Sequence, residues 1–184
     1  MCAPNFLAKR GGVVMDYEAE KIKRMLDAFV YISSNCVKNN LYNVLKVFYL
    51  SDKLHMERYG RFIFDERYAA LAKGPVPSMA YNLLKNIKHS EQLPFDLNAS
   101  VSYGEFHIIS PITEFDDSLF SESDLECIDE IIKQAESNDL GSLSHDGAWK
   151  KCFEEEVHFM PEDEIIKILP QADLLLDLHQ NRFA

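Results

Sequence analysis

Two residues of this chain stand at a spacing that can do chemistry: Asp52 and His55. Three positions apart on a helix, their side chains can meet on one face. A carboxylate beside an imidazole is the pair that orients a general base. Ser78 would complete a Ser-His-Asp set if it sat on a sharp exposed turn beside an oxyanion hole, but no G-x-S-x-G spacing surrounds it. His55, Asp52, His145 and Asp146 are ligand types that zinc accepts, without an HExxH spacing to organise them. The structural alternative is that Asp52 and His55 hydrogen-bond each other and nearby backbone, fixing the helix that carries them. That reading is preferred, because neither catalytic arrangement has its supporting motif.

The helix in question runs from about Tyr42 to Arg58. Val44, Leu45, Phe48 and Tyr59 share one face, and Val47, Leu50 and Leu54 form another. Only Lys46, Lys53 and Glu57 remain as a polar stripe, so this is a central helix packed on several sides. Before it, Ile22, Met25, Leu26, Phe29 and Val30 recur at helical spacing over Glu18 to about Val37. After it, Gly60 is a C-cap. Phe62 to Phe64 and Tyr68 to Ala72 read as short strands around Asp65-Glu66, and Gly74-Pro75-Val76-Pro77 as a break that opens a helix at Pro77. Ser100 to Tyr103 and Phe106 to Ser110 read as a hairpin turning at Gly104-Glu105. Helices then follow Ser121 and Ser123, surround Ser144 to Cys152, start at Pro161 and resume after Pro170. The expected fold is α+β, mostly helical, with a central buried helix and a small antiparallel sheet inserted.

Residues 15–184 are expected to form one domain. Residues 1–14 show no period, and Arg10-Gly11-Gly12 could be encoded by a purine-rich run just ahead of a natural start at Met15. No secretory signal and no bilayer-length apolar stretch is seen, so the expected location is cytoplasmic, with no membrane partner. Cys36 and Cys127 fall on apolar helix faces and read as reduced core thiols.

Lys plus Arg is 19 and Asp plus Glu is 30, a net charge of −11. That balance argues against nucleic acid as a partner. The charge is uneven: residues 1–98 carry net +4 and residues 99–184 net −15. The plain reading is a solvated acidic face; the sharper one is a surface that steers a basic protein partner. No phosphate-cradling glycine motif is present, the aromatics sit at core spacing, and no cofactor is expected. The Leu-rich tail reads as docked on its own core, with a partner or homodimer helix as the alternative.

The run YLSDKLHMERYGR (Tyr49 to Arg61), the Asp65 and Tyr68 that follow, and GPVPSMAYNLL (Gly74 to Leu84) resemble the signature of the SocA-like antitoxins, the Panacea domain. SHDGAW (Ser144 to Trp149) resembles that family's Ser-His-x-x-x-Trp element, which supplies His145 and Trp149. Phe62 stands where the family often has Pro. The resemblance implies a single-domain antitoxin of a bacterial or phage toxin–antitoxin system, with no enzymatic activity. Its partner would be a toxin encoded next door, neutralised by direct binding. The alternative within the family is a proteolytic adaptor delivering the toxin to a ClpXP-type protease. A hydrolase using Asp52 and His55 is the rival from another class. Of the residues matching the motif, Gly60, Gly74, Pro75 and Pro77 are explained by backbone geometry. Arg58, Tyr59, Lys73, Ser78 and Tyr81 are the candidates for touching the toxin, Arg and Tyr being typical interface anchors.

Overall fold

A computed structural model of the chain describes residues 6–181. Helix α1 (Phe6–Asn35) begins ahead of the expected Glu18. Of the expected 1–14 extension, residues 1–5 lie outside the described residues and residues 6–14 continue α1. Helix α2 (Leu41–Tyr59) starts at Asn40, whose side chain accepts from the Asn43 amide, and ends at Gly60 in the left-handed region (φ 67°). It is the central helix, packed by α1 and by the later segments Gly74–Pro77, Glu122–Ser137, Leu140–Ser144 and Glu162–Lys167. Aromatic contacts radiate from it: Phe48 lies 5.3 Å from Phe29 and 4.3 Å from Phe64, and Tyr49 meets Tyr68 edge-on at 5.0 Å.

The polar stripe expected on α2 is a correction. Only Glu57 of its three members is exposed. Lys46 is 1% exposed and Lys53 is folded against Asp146, because a hairpin and a later helix cover that side. That hairpin pairs β1 (Tyr68–Leu71) with β2 (Gly74–Pro77), Ala70 opposite Pro75 and Tyr68 opposite Pro77. Residues 62–64 are therefore not a strand, and the Gly-Pro-Val-Pro run is one. The reason is hydrogen bonding: the amides of Ile63 and Phe64 are taken by the Asp52 carboxylate. Pro75 and Pro77, lacking N–H groups, are tolerated in a two-stranded ribbon. The other side of β1 is covered by residues 158–160, through Ala70 N to His158 O and Met160 N to Tyr68 O, each 2.8 Å.

Helix α3 (Ser78–Lys88) follows directly, with Pro77 as its N-cap residue rather than its first residue. Pro77 has no side chain to cap with, so the buried Glu66 does it from outside the helix, accepting from the amides of Met79 and Ala80 at 3.1 and 3.0 Å. The second hairpin pairs β3 (Val101–Tyr103) with β4 (Ile109–Pro111). Its connection is longer than the expected Gly104-Glu105 turn: Gly104 donates to the Ile108 carbonyl around Phe106 and His107, both at positive φ. The hairpin is held at the start of α2, where Ile109 N donates to Asn39 O and Asn39 Nδ2 to Ile109 O.

Helix α4 (Glu122–Ser137) opens with a capping box of Ser121 and Asp124, Ser121 being the first of the two expected cap residues. Helices α5 (Leu140–Ser144), α6 (Gly147–Glu154), α7 (Glu162–Lys167) and α8 (Ala172–Asn181) close the domain. Leu175 of α8 joins Met56, Ile166 and Leu169 in a small second core, and Phe62 meets His179 edge-on at 6.0 Å. The tail helix thus docks on its own chain. Eight α-helices and two antiparallel strand pairs among the described residues make the expected mostly helical α+β fold. None of those helices is long and apolar enough to cross a membrane.

The charge asymmetry of the sequence is partly consumed inside the fold. Lys23 pairs with Asp116, Arg24 and Arg61 with Asp124, Lys53 with Asp146, and Arg58 with Glu126 and Glu130. Each pair joins a base of the first half to an acid of the second.

Candidate partner-binding cleft

Asp52 and His55 share a helix but not a hydrogen bond. Asp52 is fully buried and accepts from Ile63 N (2.6 Å), Phe64 N (3.0 Å) and the Tyr68 hydroxyl (2.7 Å). Burial pushes its carboxyl up to about 7 despite those three donors. His55 turns to other neighbours. Its Nδ1 lies 2.9 Å from the Arg61 carbonyl, so that nitrogen carries the proton. Its Nε2 lies 3.0 Å from Ser123 Oγ and 3.2 Å from Asp124 Oδ1. A catalytic relay needs the nucleophile and the acid on opposite ring nitrogens. Here the hydroxyl and the carboxylate share one, and a backbone carbonyl holds the other. The expectation that Asp52 and His55 bond each other is corrected: each stitches a different segment to α2.

The remaining candidates do not complete that chemistry. The Ser78 amide donates to Arg67 O, and Ser78 lines a separate cleft of about 450 Å³ with Glu66 and Arg67, away from His55. His145 stacks on Trp149 at 4.2 Å, and Asp146 caps α6 while accepting from Tyr49 and Lys53. Among the described residues, no three His, Cys, Asp or Glu side chains converge as metal ligands.

The candidates for a partner surface divide three ways. Arg58 and Tyr59 lie at the C-terminal end of α2, bonded to Glu126 and Glu130 of α4. Ser78 faces its own cleft. Lys73 and Tyr81 come together at the opposite end of α2, some 18 Å along the helix from Arg58 at 1.5 Å per residue. There they line a cleft of about 640 Å³, large enough for a substantial side-chain cluster. Its floor is the first turns of α2, with Tyr42, Leu45 and Lys46. One wall is the β1–β2 turn, Leu71 to Lys73, with Val76 and Tyr81. The other is Phe106 and His107 at the tip of the second hairpin.

Lys46 was missed as a site residue. Its ammonium donates to the Pro75 carbonyl at 2.9 Å and lies 5.2 Å from the Tyr42 ring centre. Burial pushes it down to about 8, against the pull of Asp139. The i, i+4 spacing of Tyr42 and Lys46 was the one legible signal. Gly74 (φ 97°) explains itself here: a Cβ would stand 2.5 Å from Lys46 Nζ and 2.8 Å from the His145 ring. The motif elements therefore meet. Gly74 and Pro75 hold Lys46 from one side, and Trp149 Nε1 donates to Leu71 O at 2.9 Å from the other.

The family described as Antitoxin SocA-like, Panacea domain, matches residues 44–150. The chain belongs to the SocA-like antitoxin family. No curated protein and no solved structure matches it. Membership implies an antitoxin role and a toxin as partner. The matched span opens within α2, closes within α6, and holds Lys46, Lys73, Tyr81 and Phe106; α1, α7 and α8 fall outside it.

Proposed function

We propose that this antitoxin neutralises its toxin by forming a stoichiometric complex with it, through the cleft between α2 and the two hairpins. The observation that carries the reading is that the antitoxin family match spans residues 44–150, which contain most of that cleft. The cleft supports it with the features of a binding surface. Phe106 is 87% exposed at its rim, Leu71 is exposed beside it, and Tyr42 and Tyr81 stand within it. Aromatic groups held by a rigid helix and a short ribbon lose little freedom on binding. The Asp52 and His55 polar atoms hold the fold, so the reading has no catalytic step.

The test is a growth assay with the adjacent gene, induced alone and then with this protein, followed by co-purification. Toxicity relieved by co-expression, with a 1:1 or other fixed-ratio complex, is the expected result. Relief without a complex and with rapid loss of the toxin would replace binding by delivery to a protease. A non-toxic neighbour that forms no complex would overturn the reading for that pair.

A further inference from the structure

Of the described basic residues outside the ion pairs, four cluster together, whereas Lys38, Arg67 and Lys133 do not line the cleft. Lys23, Arg24, Lys53, Arg58 and Arg61 each end on an acid of the second half. Among the described residues, Lys46, Lys73, Lys85 and Lys88 form no ion pair, and all four stand at or around the cleft. Lys46 and Lys73 line it. Lys85 lies 5.8 Å from the ring of Tyr81, a lining residue. Lys88 lies 5.3 Å from the ring of Tyr103, whose hydroxyl is 2.7 Å from His107 of the rim. No Asp or Glu lines the cleft. On a chain of net charge −11 this is a local reversal of sign.

Lys46 is the sharpest part of the pattern. An ammonium has three donors, and this one, 1% exposed, has a single hydrogen bond, to a backbone carbonyl. Asp139, the acid that acts on it, is engaged elsewhere: its carboxylate caps α5 through Gly141 N, Ser142 N and Ser142 Oγ. A buried charge is held where a counter-charge can reach it. The opening is mostly apolar in character, with Tyr42, Tyr81 and Phe106 flanking the cations.

We infer that the cleft receives an acidic segment of the toxin, a carboxylate directed at Lys46 and Lys73 with an apolar or aromatic neighbour seated among Tyr42, Tyr81 and Phe106. The inference rests on the binding reading above and names the chemistry of its partner. Charge complementarity favours an acidic occupant over the basic one that net charge alone suggests. The open mouth and the exposed Phe106 suit a protein segment.

The experiment measures the affinity of the full chain for the toxin of the adjacent gene, by titration calorimetry, for wild type, Lys46→Met, Lys73→Glu and the control Lys167→Glu. Lys167 is on α7, outside the family match, and half exposed. The expected result is a loss of about tenfold or more for the first two variants and about twofold or less for the control. Thermal melts guard the interpretation, since Lys73 is on an exposed turn and its reversal should leave the transition in place. Reversing one acidic residue of the toxin to Lys should restore affinity to the Lys73→Glu chain. Wild-type binding that survives both cleft variants unchanged overturns the inference and leaves the binding reading standing. So does a toxin in which no acidic reversal restores Lys73→Glu. Failure of the wild-type chain to bind at all removes the binding reading and this inference together.

Discussion

The ammonium of Lys46 lies 2.9 Å from the carbonyl oxygen of Pro75, a single hydrogen bond between α2 and the second strand of its covering ribbon. It places a positive charge under a lid of backbone, with Gly74 leaving the room that any other residue would fill. The sequence motif around Gly74 and Pro75 is thus explained by a lysine 29 positions earlier in the chain.

Replacing that lysine should stabilise the protein. Lys46 falls from an ordinary 10.5 to about 8 in the folded state. Between those values the unfolded chain holds more protons, so stability rises with pH there, and below about 8 the burial penalty is felt in full. Lys46→Met keeps the stem and removes the charge. It should be more stable than wild type by on the order of 1 kcal/mol at pH 7. The advantage should shrink as pH rises from 8 to above 10. Urea melts at pH 7 and 10 check this; a less stable variant at pH 7 would show the ammonium to be well satisfied as it stands.

Asp52 should have the opposite pH signature. Its folded value of about 7 is above the ordinary 3.8. The folded state holds the extra proton between them, so this contribution is fully present below about 3.8 and is lost as pH rises through about 7. Asp52→Asn keeps an acceptor for Ile63 and Phe64 and should flatten the stability profile between pH 4 and 7. Asp52→Ala leaves both amides unpaired in the core and should cost about 3 kcal/mol. Denaturant midpoints across that range read both outcomes.

Asp124 should govern acid sensitivity. Burial pushes its carboxyl up, but hydrogen bonds from Ser121 and the charges of Arg24 and Arg61 prevail and hold it below the usual carboxylate value. Its contribution is present above the ordinary 3.8 and is lost as pH falls through the folded value. Asp124→Ala removes the partner of Arg24, Arg61 and His55 and the N3 half of the α4 capping box. A loss of about 3 kcal/mol at pH 7 is expected, with Asp124→Asn losing less because the cap survives. Equal losses in the two variants would mean that the cap is immaterial and the charge carries the whole effect.

Gly74→Ala should be among the most damaging single-methyl changes. The residue is at φ 97°, and the added carbon would press on Lys46 Nζ and the His145 ring. Strain and crowding together should remove about 3 kcal/mol. Gly104, at negative φ with room around it, is the comparison: Gly104→Ala should lie within about 0.5 kcal/mol of wild type in the same thermal melts.

Much of the fold was legible because its signals are local. Asn40 and Gly60 bound α2 by cap chemistry, Pro161 precedes α7, and the apolar recurrence of α1 and α4 places their inner faces. The errors came where a distant group claims a backbone or a side chain. Residues 62–64 have strand composition, but Asp52 takes their amides. Gly74 to Pro77 reads as a break, but its partner strand lies across a two-residue turn. Asp52 and His55 are neighbours by helical spacing, yet each is drawn to a different loop.

By itself the sequence determined the helical order, the central position of α2 and, through the runs at Tyr49–Arg61 and Gly74–Leu84, the antitoxin family. Periodicity, caps and motif spacing act within a few turns of chain, and residue types alone carry them. Only the tertiary structure decided that Lys46 is buried, that part of the basic first half is paired with the acidic second, and that Lys73 and Tyr81 share a cleft while Arg58 and Tyr59 do not. Each of those depends on which face of α2 another segment covers. That choice is made by packing between segments far apart in sequence, where helical spacing has nothing to say.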